Sequence, residues 1–222
     1  MLPAAFFVPV IHEWVKALVS TAQGDPAPRR HGFLTLNPFR YFEPLGFMLM
    51  MMFGFGWGQP VPTTALHYRD RGRGILLTYM IPVLVNLLLG IGAVIGVRIM
   101  ANGVHWPMPG TAGIVWPGHY SLFFHLLSPI RWLADPYFLT MVLLANFGFI
   151  SINFAIFNLI PVYPLAANKL LVTFSSPDSI ARFNHHEKPM QILVFLGLAF
   201  GLIPAVIAPI SRIVIRIAWG LI

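Results

Sequence analysis

The sequence contains no cysteine, which removes both a disulfide framework and a thiolate metal site. It is also poor in charge. Only 9% of its 222 residues are Asp, Glu, Lys or Arg, whereas a soluble domain carries about 25%. Apolar residues fill the deficit, at 57% of the chain and a mean hydropathy of +0.76. A soluble domain of this size lacks the interior volume to hide so much apolar surface. The chain therefore reads as an integral, multi-pass membrane protein in direct contact with lipids. A spanning helix takes roughly 20 apolar residues, which leaves room for about four to six membrane segments and no large soluble domain.

The remaining charge is mostly basic, with a formal net charge of +7. A basic balance can signal nucleic acid. Here the Lys and Arg residues fall in short loops between apolar runs, where they act as topology signals, and no nucleic-acid partner is expected. No Lys or Arg precedes the first apolar run, MLPAAFFVPVIHEWVKALVS, whose first charges lie inside it. A secretory signal has the opposite order, so this run is expected to remain as the first helix.

The chain reads as a single membrane domain, 1–222. After the first segment comes a polar stretch, 23–43, in which GFLTL (32–36) has strand-like character. The apolar run 45–57 is too short to span easily. It lies between two basic clusters, Arg29, Arg30 and Arg40 before it and Arg69, Arg71 and Arg73 after it. If both clusters are cytoplasmic, the run must enter and leave on one side, as a re-entrant loop, and the N-terminus lies outside. Spans are expected over 74–100 and 137–160, joined by a far-side loop whose Trp106, Trp116, Tyr120 and Trp132 suit a membrane interface. A short helix over 165–174 and a polar loop over 175–188 lead to a C-terminal apolar helical region, about 188–222. That region is broken near Pro204 and Pro209, either as one tilted helix or as a bent pair.

His12 and Glu13 sit within the first apolar segment, where ionisable groups are costly and functional by default. An intramembrane zinc hydrolase presents His-Glu-x-x-His on one helix, with the two histidines on one face and the glutamate as general base. This chain reads His12-Glu13-Trp14-Val15-Lys16. An ammonium has only donors and cannot ligate a cation.

Further motifs follow in order: Gly24-Asp25; GFLTLNPFRYFEPLG from Gly32 to Gly46; FGWGQPVPTT from Phe55 to Thr64; Pro82 and Asn86 in MIPVLVN; and Asn158, Pro161, Pro164 and Leu165 in NLIPVYPLAA. Together they resemble the site-2 protease family, peptidase family M50, over about residues 1–175. The resemblance implies an all-α polytopic membrane protein: a site-2-protease-like helical core with a small β segment and a re-entrant loop. It also implies a zinc ion held by both histidines of His-Glu-x-x-His and by the aspartate of Pro-Leu-Asp-Gly.

The departures decide the function. Lys16 replaces the second histidine, Ala166 the aspartate, Ala167 the glycine beside it, and Tyr41 a histidine of the Asn-Pro element. Catalytic zinc needs three protein ligands, and His12 alone remains. The degenerate site is thus His12, Glu13, Lys16 and Ala166, with no metal or other cofactor expected. In a family site the zinc charge balances two carboxylates; here Lys16 balances Glu13, three residues away on one helix. Lys16 either pairs with Glu13 in this way or snorkels to the cytoplasmic interface.

Asn86, Asn153 and Asn158 either hydrogen-bond between helices or, for Asn86 and Asn158, hold a peptide or partner, as the resemblance implies for Asn158. The other histidines, His31, His67, His105, His119, His125, His185 and His186, form no convincing second zinc site. The expected function is a catalytically inactive site-2-protease-like protein, not an enzyme, serving as a structural or accessory subunit of a membrane complex. Its partners would be membrane lipids and other membrane subunits, in a bacterial or archaeal cytoplasmic membrane. The alternatives are an active intramembrane zinc metalloendopeptidase with non-standard ligands, and an ion or proton path through Glu13, Lys16 and His12. The re-entrant region and the segment 32–36 are candidates for binding a partner's extended chain by strand addition.

Overall fold

The computed structural model describes residues 2–101, 136–162, 165–173 and 187–221. Four helices are long and apolar enough to cross a bilayer: α1 (Leu2–Ala22), α4 (Arg71–Met100), α5 (Pro136–Phe157, apolar from Leu139) and α8 (Leu202–Gly220). The shorter helices are α2 (Ala27–Arg30), α3 (Pro44–Phe53), α6 (Ala166–Thr173) and α7 (Glu187–Ala199). At 1.5 Å per residue α1 rises about 32 Å, close to the hydrocarbon thickness of a bilayer, and α4 about 45 Å, enough to reach both headgroup layers. Exposed Leu76, Leu77, Leu84 and Leu88 on α4 fit contact with lipid tails. The far-side aromatics Trp106, Trp116, Tyr120 and Trp132 lie outside the described residues.

α4 and α5 meet at their smallest residues. A Cβ added to Gly90 would stand 3.0 Å from the Gly148 carbonyl oxygen, and one on Gly148 would stand 3.1 Å from that of Gly90. Tails of lipid are as apolar as leucine, so close backbone packing of this kind is what holds membrane helices together. α1 packs on both, and α8 lies antiparallel to α5. Ile207 shares a cluster with Phe157, Ser211 Oγ donates to Asn153 Oδ1 at 2.6 Å, Ile215 meets Ile152, and Trp219 reaches Met141.

The run 45–57 is a helix followed by an extended return. Pro44 occupies the first helical position and the Glu43 carboxylate caps the Gly46 N–H. Gly54, at φ +75°, ends α3 in the left-handed conformation, its N–H bonding the Met50 carbonyl. The chain then returns directly against α3, with the Gly46 backbone touching those of Gly56 and Trp57. The hairpin wedges into the bundle: Met50 packs with Val8 and Phe154, and Leu49 with Phe55, Phe157 and Leu198.

Two expectations are corrected. No strand forms among the described residues, and the small β segment expected at 32–36 is a turn and bend. Its Phe33 and Thr35 carbonyls point the same way, as in a strand, but one side chain takes both: the Tyr41 hydroxyl lies against the Phe33 oxygen and 2.8 Å from that of Thr35. No neighbouring backbone supplies a ladder. In the C-terminal region the break falls at Phe200–Gly201, with Gly201 at φ +73°, and not at the prolines. Pro204 stands in the first turn of α8, where a missing N–H costs nothing, and Pro209 stays inside the helix. The region is the bent pair α7–α8.

Candidate functional site

The helix α1 carries His12, Glu13 and Lys16, with 2%, 7% and 6% of their surfaces exposed. Spacing of four puts His12 and Lys16 on one face, and spacing of three brings Glu13 and Lys16 into contact. Lys16 Nζ lies 2.5 Å from Glu13 Oε2. The lysine therefore pairs with Glu13 and does not snorkel. The same carboxylate oxygen accepts the Val61 N–H at 2.8 Å. On its other side the ammonium stands 5.7 Å from the centre of the Tyr79 ring, at cation–π range. The Tyr79 hydroxyl is 2.9 Å from Thr63 Oγ1.

His12 faces α4 and α5. Its Nδ1 lies 3.2 Å from the Asn86 amide nitrogen, and Phe154 packs edge-on at 5.1 Å. A neutral imidazole has one donor and one acceptor. The Asn86 amide donor takes the acceptor nitrogen, and the other nitrogen of the neutral ring carries the proton, so neither offers a lone pair to a metal. Ala166 opens α6 and clusters with Val83 and Ala155, one turn of α4 from Asn86, with Tyr79 alongside.

These residues do not fit a zinc ion. The one imidazole is bonded to Asn86, the Glu13 oxygen holds an ammonium and an N–H, and the third position is a methyl group. Among the described residues no three His, Cys, Asp or Glu side chains gather to hold a metal ion. His31 bonds the Ala27 carbonyl and is exposed, and His67 lies in the loop before α4. His105, His119, His125, His185 and His186 lie outside the described residues.

The return segment explains several motif residues. Gly58 passes where a Cβ would come within 3.0 Å of Pro9 and 3.2 Å of the Tyr41 carbonyl. That carbonyl accepts the Gln59 N–H at 2.9 Å. Farther on, the Thr64 N–H donates to Asp25 Oδ2 at 2.7 Å. Asp25, buried, also accepts from Ser20 Oγ at 2.8 Å and the Ala27 N–H at 2.9 Å, and Ser20 Oγ contacts the Tyr68 hydroxyl. Gly24 is required beside it because its φ is +109° and the His67 carbonyl would lie 2.8 Å from a Cβ. Asp25→Asn keeps one carbonyl acceptor and loses the others, so it is expected to lower stability by about 1–2 kcal/mol. Thermal unfolding in detergent followed by circular dichroism checks this, and Ser20→Ala should cost less.

Asn86 and Asn153 bond across helices, to His12 and Ser211. Asn158 instead bonds its own helix, with Nδ2 on the Phe154 carbonyl at 2.9 Å, while its backbone oxygen accepts the Ala167 N–H at 3.0 Å and closes the turn into α6. Tyr41 is a clamp in the loop between α2 and α3. Burial pushes its hydroxyl up to about 12, so it stays neutral, its single O–H shared between the Phe33 and Thr35 carbonyls.

Sequence reading missed Val61 and Tyr79. Both left a signal. Pro60 and Pro62 have no N–H, so Val61 is the one backbone donor of that triplet. Tyr79 precedes Asn86 by seven residues and so shares its helix face.

A Bacillus subtilis (strain 168) protein named "Putative zinc metalloprotease YwhC" is 28% identical over 189 residues, covering 85% of this chain and 74% of that protein. The chain is thus distantly similar to a protein named as a zinc metalloprotease. No family profile matches it, and no solved structure matches it.

Proposed function

We propose that this chain is a degenerate, catalytically inactive protein of the site-2 protease (M50) type, acting as a structural or accessory subunit of a membrane protein complex. One observation carries the reading: the Lys16 ammonium sits 2.5 Å from Glu13, where the resemblance calls for a second histidine and a zinc ion. A general base must be free to take a proton from water, and Glu13 is held by Lys16 and Val61. The similarity to a named zinc metalloprotease over most of the chain supports shared descent of the scaffold. The basic loops on either side of α3 support a cytoplasmic face there and an N-terminus outside, in a bacterial or archaeal cytoplasmic membrane.

Metal content tests this directly. The protein is extracted in mild detergent without added zinc and weighed intact by native mass spectrometry. The expected result is apo protein, with no shift in mass or melting temperature on adding zinc. Near-stoichiometric zinc would restore the alternative, an active metalloendopeptidase with non-standard ligands around His12.

A further inference from the structure

Arg212 stands at mid-depth in the bundle, on a face of α8 that no described helix covers. It is the eleventh of nineteen residues of α8. Its neighbour Ser211 bonds Asn153, and the next residue along α5, Phe154, packs on His12. His12 lies midway along α1 and bonds Asn86, midway along α4. About 12–15 Å of helix separates Arg212 from either end of α8. Arg216, one turn on, is only about 6 Å from the end and can reach the interface.

The Arg212 side chain is exposed. Its Nε donates to the Ala208 carbonyl at 3.2 Å, which leaves both terminal amino groups unbonded among the described residues. Apart from Arg216 one turn on, exposed side chains near it on α8 are apolar: Val206, Ile210, Ile213 and Ile217. An arginine at this depth facing lipid is costly, and such residues pair with an opposite charge or face protein.

Among the described residues no carboxylate is free at that depth. Glu13 holds Lys16, Asp25 holds Ser20 and Thr64, Glu43 caps α3, and Asp70 caps α4 and pairs with Arg73. Asp135, Asp178 and Glu187 precede or lie between the spans in sequence. A second copy would set arginine against arginine. We infer that the exposed face of α8 around Arg212 docks a membrane-spanning helix of a different protein, through an Asp or Glu carboxylate at mid-depth. The inference is independent of whether the His12 region is catalytic, and zinc content does not bear on it.

The test uses the full chain in vesicles of neutral phosphatidylcholine, with a dye-labelled oligoleucine spanning helix carrying one central Asp as the probe. The same helix with Leu in that place is the control, and association is read by energy transfer. The Asp helix is expected to bind about tenfold more tightly than the control. Arg212→Leu should abolish that preference, and Arg216→Leu should keep it. Because the one hydrogen bond of Arg212 among the described residues is to its own helix, Arg212→Leu should leave the melting temperature unchanged or raised, which separates docking from a structural role. Equal binding of the two helices overturns the proposal. So does loss of the preference when phosphatidylglycerol is added, since Arg212 would then be answering lipid phosphate.

Discussion

Lys16→Met is expected to cost about 3–5 kcal/mol of folding stability, because it strands the Glu13 carboxylate in the membrane. The pair is almost wholly buried, with its side chains 8% and 9% exposed. Attraction between such charges does little more than offset their desolvation, so removing both should cost far less than removing one. The partner for the double variant must respect Val61, whose N–H ends on Glu13 Oε2. An apolar residue at 13 would leave that N–H unsatisfied, at about 1–3 kcal/mol. Gln keeps an acceptor there. Lys16→Met with Glu13→Gln should therefore lie within about 1–2 kcal/mol of the parent. Unfolding in mixed dodecyl-sulfate micelles, followed by circular dichroism, ranks the variants. Equal losses in Lys16→Met and the double variant would show that the charges are not coupled. A loss under about 1 kcal/mol in Lys16→Met would mean the ammonium reaches the interface in solution.

The membrane class and the places of the first three spans could be read from composition and run length, because the bilayer imposes both, while the number of segments stayed at about four to six. The Glu13–Lys16 contact was legible as one of two alternatives, since spacing of three on a helix permits it and the structure decides it against snorkelling. What surrounds the pair was not. Val61 acts through its backbone N–H, which every non-proline residue has, so residue type carried no message. Tyr41 in a position where the resemblance calls for histidine looked like a loss. In the structure its hydroxyl takes the carbonyls that a neighbouring strand would have used, and the expected β segment does not form. The prolines misled for a similar reason. Proline breaks a helix interior but is harmless in a first turn, and only the position of Gly201 shows that Pro204 stands in one.

One layer of polar groups now crosses the bundle at mid-depth: Asn86 with His12, then Asn153 with Ser211, and Arg212 at the outer face. Among the described residues, each inner pair is bonded across helices, with Asn86 Oδ1 and Asn153 Nδ2 left buried without a partner, and Arg212 carries two further unbonded amino groups at the outer face.

Gly46→Ala and Gly56→Ala are expected to destabilise by about 3 kcal/mol or more each, against the sign that helix propensity gives for the first. Gly46 lies in the first turn of α3, where alanine should on propensity alone add about 0.5–1 kcal/mol. Its added methyl would instead run into the Trp57 carbonyl, and that of Gly56 into the Gly46 carbonyl. Backbone cannot yield as a flexible side chain can, so the return segment must separate from α3. Residues 57–61 are continuous with that contact, and displacing them pulls the Val61 N–H from Glu13. The damage should then appear twice, as lost stability and as an ammonium–carboxylate pair without its third partner. Gly92→Ala supplies the control: Gly92 is an exposed glycine inside α4 with open space around its Cβ direction. It should be neutral or stabilising by about 0.5–1 kcal/mol. If Gly46→Ala matches Gly92→Ala in the same micelle unfolding series, the hairpin is not packed backbone to backbone, and the positioning of Val61 against Glu13 loses its support.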